Sequence, residues 1–239
     1  SSEARLSSSA NSFSGNFRFN DFGEFNGTLN GRFYGPNAQE IGAAFSASQS
    51  DGRVAVGAFI GRGAAVTATN VDLKTLTVNE FFSADGSKLT ATLAGNSGSN
   101  NGTETFSARD QANTIVVVNY DATTQLYTLI GSDRSLYGNR SFGSTTERFT
   151  STAPVNGPGG FPYATFSGLK YATSGQWFTA RGVGPNTEYI IEDIVYGKNT
   201  PNSALPRTGS AGFAIGLSGS AADADFVNLA SVGGFGFLN

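Results

Sequence analysis

The stretch EFNGTLNGRFYGPNAQEIG, residues 24–42, decides how the chain is read. Its first half alternates. Phe25, Gly27, Leu29, Gly31 and Phe33 share one side, and Glu24, Asn26, Thr28, Asn30 and Arg32 share the other. A period of two marks a strand with one buried face. The strand then runs into Gly35-Pro36-Asn37. Pro36 has no N–H to give a ladder, and Gly35 permits the backbone a reversal needs. Phe33 and Tyr34 end the strand, and Glu40 stands where it can hydrogen-bond or cap within the corner. No nucleophile–base pair, metal-ligand cluster or phosphate loop accompanies these residues, so they read as a corner in a β-structure.

The flanking sequence repeats the pattern. SFSGNFRFN places Phe13, Gly15, Phe17 and Phe19 on one face, and RVAVGAFI places Val54, Val56, Ala58 and Ile60 on one face. The turns between are short: NDFGE, YGPNAQE and SQSDGR. Four antiparallel strands on tight turns make a meander. Gly alternating with Phe suits a tightly curved sheet, where Phe fills the interior and Gly relieves crowding.

Beyond residue 63 the signals are mixed. SADGS (83–87) and SQSDG (48–52) lack the repeated aspartates of a calcium loop and read as hairpin turns. AGNSGSNNG (94–102) is a linker by composition. NTIVVVNYDATTQLYTLIG (113–131) is a hairpin connected by YDATTQ, and PVNGPGGFP (154–162) is an exposed loop. YATFSGLKYATSGQWFTARG and TEYIIEDIVYGKN supply two or three more strands. TPNSALPRTG (200–209) is an extended connector, SAGFAIGLSG restarts alternation, and AADADFVNLAS is a short helical turn before the final GGFGFLN.

Composition bounds the chemistry. Of 239 residues, 32 are Gly, 20 are Phe and 14% are charged, which excludes a helical bundle. Cys, Met and His are absent. That removes thiol nucleophiles, thiolate or imidazole metal sites and a Ser-His-Asp triad. A net charge of −3 without a basic stripe argues against nucleic acid. No apolar run is long enough for a transmembrane helix. Ser1 opens a polar stretch, as a mature or trimmed chain would.

The carboxylates that could form an acid/base pair are Glu40, Asp51, Asp110, Asp121, Asp133, Glu188, Glu192 and Asp193. Glu192 and Asp193 are neighbours on a strand and point to opposite faces, so they cannot share a proton. The expectation is a protein that is not an enzyme and has no cofactor or metal. Trp177, Phe161, Tyr163, Tyr137 and Phe142 are the candidate partner-binding residues, because aromatic anchors dominate protein-binding surfaces; they also suit the cover of a small sheet. Arg134, Arg140 and Arg148 gather in a Gly/Ser/Thr-rich region, where they either face an acidic partner or, the simpler reading, are solvated.

Residues 27–63 resemble the β-barrel domain of transferrin-binding protein B and its relatives. In that family a G-x-F-Y-G-P-x-A-x-E-x-G-G corner leads into a strand ending in Phe and then a G-x-F-G-type strand. Gly31, Phe33, Tyr34, Gly35, Pro36, Ala38, Glu40 and Gly42 match, and Ala43 replaces a usual Gly. Residues 175–216, through YGKNTPNSALPRTG, look like the family's last handle strands running into the first barrel strand. The resemblance implies an all-β fold: a small antiparallel β-barrel of about eight strands plus a strand-rich, handle-like subdomain. It also implies permuted order. Residues 1–63 match the second half of the barrel, 64–205 a linker and the handle-like subdomain, and 206–239 the first half. First and last strands of a closed barrel are neighbours, so Ile60 and Ser210 are expected side by side. Three arrangements stay open: a closed circular permutant, halves that mate between copies, or a piece of a longer tandem protein.

The implied function is capture of a protein or nutrient ligand, extracellularly or on the outer-membrane surface of a Gram-negative bacterium. The alternative is a self-assembling subunit of a surface layer or filament. The expected partners are a protein ligand or other copies of the chain.

Overall fold

The structure is a computed structural model that describes residues 2–20, 23–63, 76–94, 105–123, 126–130, 139–141, 169–183, 186–205, 207–208, 211–222 and 229–238. It is all-β, with two antiparallel sheets. The first contains β1 (Ser2–Leu6), β2 (Phe13–Asn20), β3 (Glu24–Tyr34), β4 (Glu40–Ser48), β5 (Val54–Gly63), β12 (Phe213–Ala222) and β13 (Leu229–Leu238), in that spatial order. The second contains β6 (Glu80–Ala94), β7 (Thr105–Asp121), β8 (Leu126–Ile130), β9 (Asn139–Ser141), β10 (Ala172–Val183) and β11 (Asn186–Gly197), in the order β10-β11-β6-β7-β8-β9.

The meander read from residues 13–61 is present as β2 to β5. β1, read only as a polar lead-in, adds a strand that pairs Leu6 with Phe13. The chain's two ends meet within one chain: β5 and β12 are antiparallel neighbours, with Ile60 opposite Gly216. Residues 64–205 leave the first sheet between these strands and return to it.

The alternating faces explain the core. Phe13, Leu29, Ile41, Ala43, Phe45, Phe59 and Phe213 form one buried cluster on the inner face. The sheet is rolled. From β3 to β12 are three interstrand steps, about 14 Å across a flat sheet, yet the Phe33 and Phe213 ring centroids lie 6.0 Å apart. Among the described residues no pairing joins β13 to β1.

The second sheet lies on the outer face of β4 and β5. Tyr34, Ala58, Ile60, Tyr171 and Val195 form one buried cluster between the sheets, and Val56, Leu89 and Ile191 another. β4 and β5 are therefore buried on both faces, which the one-sided reading of Val54, Val56, Ala58 and Ile60 did not include.

One turn expectation is corrected. SADGS does not reverse the chain; it lies inside the fifteen-residue β6. Asp-Gly turns when its polar groups have nothing better to bond. Here each has a partner across the sheets. Asp85 pairs with Arg32, and the Ser87 hydroxyl accepts from the Gly57 N–H at 3.1 Å and donates to the Gly57 carbonyl at 3.0 Å. SQSDG does turn: the Gln49 N–H donates to the Arg53 carbonyl, and Gly52 has a positive φ. YDATTQ joins β7 to β8 as expected. The linker core 95–102 and the loop 154–162 lie outside the described residues. In TPNSALPRTG, Asn202–Ala204 form a single 3-10 turn. The helical turn expected in AADADFVNLAS falls partly outside the described residues, and its last residues belong to β13.

Candidate functional site

The corner that opened the sequence is the joint between the sheets. Tyr34 is fully buried and Gly35 adopts φ +84°. The Gly35 N–H donates to the Lys198 carbonyl at 2.8 Å, and the Thr200 hydroxyl donates to the Gly35 carbonyl at 2.6 Å. Asn11 ties the same point from the other side. Its amide donates to the carbonyls of Phe33 and Thr200, and its Oδ1 accepts from the Phe33 N–H. The residues that follow β11 are thus stitched to the end of β3.

Glu40 does more than cap its own corner. It is buried, and its carboxylate accepts three backbone N–H groups from the segment that enters β10. Lys170 donates to Oε1 at 2.7 Å, and Tyr171 and Ala172 donate to Oε2 at 2.9 and 2.8 Å. A carboxylate accepting main-chain N–H groups makes charge-assisted bonds, the strong class. Two residues on, Gly42 faces Val195 of β11 so closely that a Cβ there would overlap the valine Cγ1. Of the motif positions, Pro36 is partly exposed, and Ala38 is buried with φ 56°.

Beside the joint lies a cleft of about 540 Å³, lined by residues of β1, β2 and β3 together with Asp85 of β6. Arg32 leans across from β3. Its Nε donates to Asp85 Oδ2 at 3.0 Å, and its Nη2 approaches Oδ1 at 3.4 Å. Asp85 is buried and Arg32 is partly buried. Burial pushes the Asp85 carboxyl above the usual carboxylate range, and the Arg32 charge and hydrogen bond oppose that. Burial also raises the Tyr34 phenol, with the Asp85 charge adding to it and Arg32 opposing. The phenol oxygen has no hydrogen-bond partner among the described residues.

The raised Asp85 carboxyl has a pH consequence. The unfolded chain releases its proton near the ordinary value, while the folded chain holds it to higher pH. Folding binds the proton in that window, so this contribution to stability is present at acid pH and declines as pH rises. The wild-type advantage over Asp85→Asn in urea midpoint should therefore shrink as pH rises above the ordinary aspartate value, about 4. A widening advantage would mean that Arg32 outweighs burial.

The sequence singled out neither Arg32 nor Asp85 as functional. Arg32 stood only on the polar face of β3, and Asp85 sat in a supposed turn. Their meeting could not be read locally, because 53 residues separate them. Of the aromatic candidates, Trp177 lies in β10 opposite Glu192. Phe161, Tyr163, Tyr137 and Phe142 lie outside the described residues, as do Arg134 and Arg148. Phe81 and Val78, not chosen from sequence, are the most exposed large hydrophobics among the described residues. Glu192 and Asp193 are consecutive in β11, opposite Lys88 and Ser87 of β6. Among the described residues no three His, Cys, Asp or Glu side chains converge on a metal-sized site, and no helix is long and apolar enough to cross a membrane.

A scan against protein-family models finds no match for the chain, and a search of curated proteins finds none either.

Proposed function

We propose that the chain is a non-enzymatic binding protein of the transferrin-binding protein B-like kind. It works outside the cell or on the outer-membrane surface of a Gram-negative bacterium and captures a protein or nutrient ligand. In this reading the rolled sheet is the barrel, completed to about eight strands, and the second sheet is the handle. One observation carries it. The corner GRFYGPNAQEIG, eight of whose positions match the family's pattern, is the joint where the two sheets lock together. A corner that locks one sheet onto the other suits a barrel-and-handle body.

The test is capture by the immobilised chain from host serum and from spent culture medium. A single recovered protein supports the reading. Recovery should fall at least tenfold on Trp177→Ala or Phe161→Ala if these residues are binding anchors. Unchanged recovery would reject them.

A second reading, self-assembly, is favoured by β13. Its sequence, LASVGGFGFL, contains no charge and no proline. One side pairs with β12, and the other has no strand partner among the described residues. Sheets normally blunt such an edge with Lys, Pro or a covering element. Because β5 and β12 already mate within one chain, assembly would join β13 of one copy to β1 of the next. Light scattering after size exclusion should then show polymers that grow with concentration. Gly233→Lys, at an exposed position of that strand, should return them to monomers. A wild-type chain that is monomeric at every concentration removes this reading.

A further inference from the structure

We propose that the cleft beside Arg32 is a binding subsite for an acidic saccharide, a sugar bearing a carboxylate or a sulfate. This goes beyond capture of a protein partner and uses different residues.

The argument begins with Arg32. A guanidinium offers two forks of parallel N–H groups. Asp85 occupies the side fork, Nε and Nη2. The end fork, Nη1 with the second Nη2 hydrogen, has no acceptor among the described residues. Asp85 is itself buried, so it fixes the guanidinium plane against the sheet and leaves the end fork presented in one orientation. A donor pair held this way loses little rotamer freedom when an oxyanion arrives. The geometry suits the two oxygens of a carboxylate, or of one edge of a sulfate.

The surroundings select the rest of the ligand. The cleft is lined by Arg5, Ser7, Ser12, Ser14 and Asn30, and it adjoins a second hollow of about 590 Å³ that adds Asn16 and Thr28. Hydroxyl and amide side chains both donate and accept, which is what a sugar's hydroxyls require. Arg5 and Arg32 both line the cleft beside Asp85, in a chain whose net charge is −3. The volume is that of a small-ligand site rather than a protein interface. Among the described residues, the apolar contribution to the wall is Leu6 and a buried Phe13, with no exposed aromatic anchor of the kind a peptide or protein partner uses.

The test is isothermal titration of the full chain with three probes: a glucuronic-acid-containing oligosaccharide, a neutral oligosaccharide of equal length, and inorganic sulfate. The acidic oligosaccharide should bind, and the other two should bind at least tenfold more weakly. Arg32→Lys retains a cation beside Asp85 but has no second fork, and Arg5→Gln leaves the Arg32–Asp85 pair untouched. Each should weaken the acidic oligosaccharide about tenfold while the circular-dichroism melt stays that of the wild type. If Arg32→Lys alters the melt, Arg5→Gln decides the question. No heat from the acidic oligosaccharide, equal binding of the neutral one, or wild-type affinity in Arg5→Gln would each overturn the proposal. Sulfate binding as tightly as the acidic sugar would reduce the cleft to a simple ion site and overturn it too. Protein capture does not use Arg32 or Arg5, so failure here leaves that reading standing.

Discussion

Glu40→Ala should lower the free energy of unfolding by about 4–5 kcal/mol, the largest loss expected from a single change in this chain. The substitution leaves the N–H groups of Lys170, Tyr171 and Ala172 without their acceptor at a site where Tyr171 and Ala172 are buried. Each buried donor left unmade costs roughly 1–3 kcal/mol, and the bonds lost are to a charge. Glu40→Gln keeps the shape and one carbonyl acceptor but turns an NH2 toward an N–H. Its loss should be about half as large, roughly 2 kcal/mol. Urea denaturation measures both, and the glutamine variant remains informative if the alanine variant is too unstable to purify, since domains carry only about 5–15 kcal/mol in all. Hydrogen exchange adds a local reading. The amides of Tyr171 and Ala172 should lose protection in either variant before the inner-face strands do. A loss under about 1 kcal/mol for Glu40→Ala would show that the corner does not hold the two sheets together.

The second large effect is steric. Gly42→Ala adds a methyl where Val195 Cγ1 already sits, with Tyr34 Cε2 3.2 Å away on another side. Tyr34 and Val195 are both fully buried, so neither can swing into solvent. Overpacking of this kind costs about 2–3 kcal/mol. Val195→Ala alone opens a small cavity and should cost about 1–3 kcal/mol. The pair should be better than the sum. In Gly42→Ala with Val195→Ala the offending Cγ1 is gone, and the valine Cβ position, 3.4 Å away, is ordinary contact. A coupling of about 1–2 kcal/mol in the double-mutant cycle is expected. Additive losses would mean that β4 and β11 do not touch at this point, and the packing of one sheet on the other would have to be redrawn.

Both predictions rest on residues whose importance has different visibility in the sequence. Glu40 was noticed as a corner residue with hydrogen-bonding potential. Its partners were invisible, because they lie 130 or more residues away in sequence. Gly42 was matched as part of a motif, but what it makes room for was not legible. Arg32 and Asp85 are a harder case. The alternation placed Arg32 on the outward face of β3 and named no partner for it, and the Asp-Gly pair labelled residue 85 as a turn. Both readings assume that a polar group bonds locally or to water. The second sheet supplies partners that make neither necessary.

The alternating Phe and Gly of residues 13–61, a pattern that acts between neighbours two apart, set strands β2 to β5, their short turns and the inward face of the first sheet. The permuted order that the family resemblance implies put Ile60 beside Ser210; β5 and β12 are paired, with Ile60 opposite Gly216, while Ser210 lies outside the described residues. Tertiary structure alone decided that β6 runs straight through SADGS, that β4 and β5 are buried on both faces, and that Arg32 and Asp85 form a cleft wall. The reason is that a side-chain period reports which face of a strand is apolar, whereas the partner that satisfies a buried charge or fills a glycine's space arrives from a distant part of the chain.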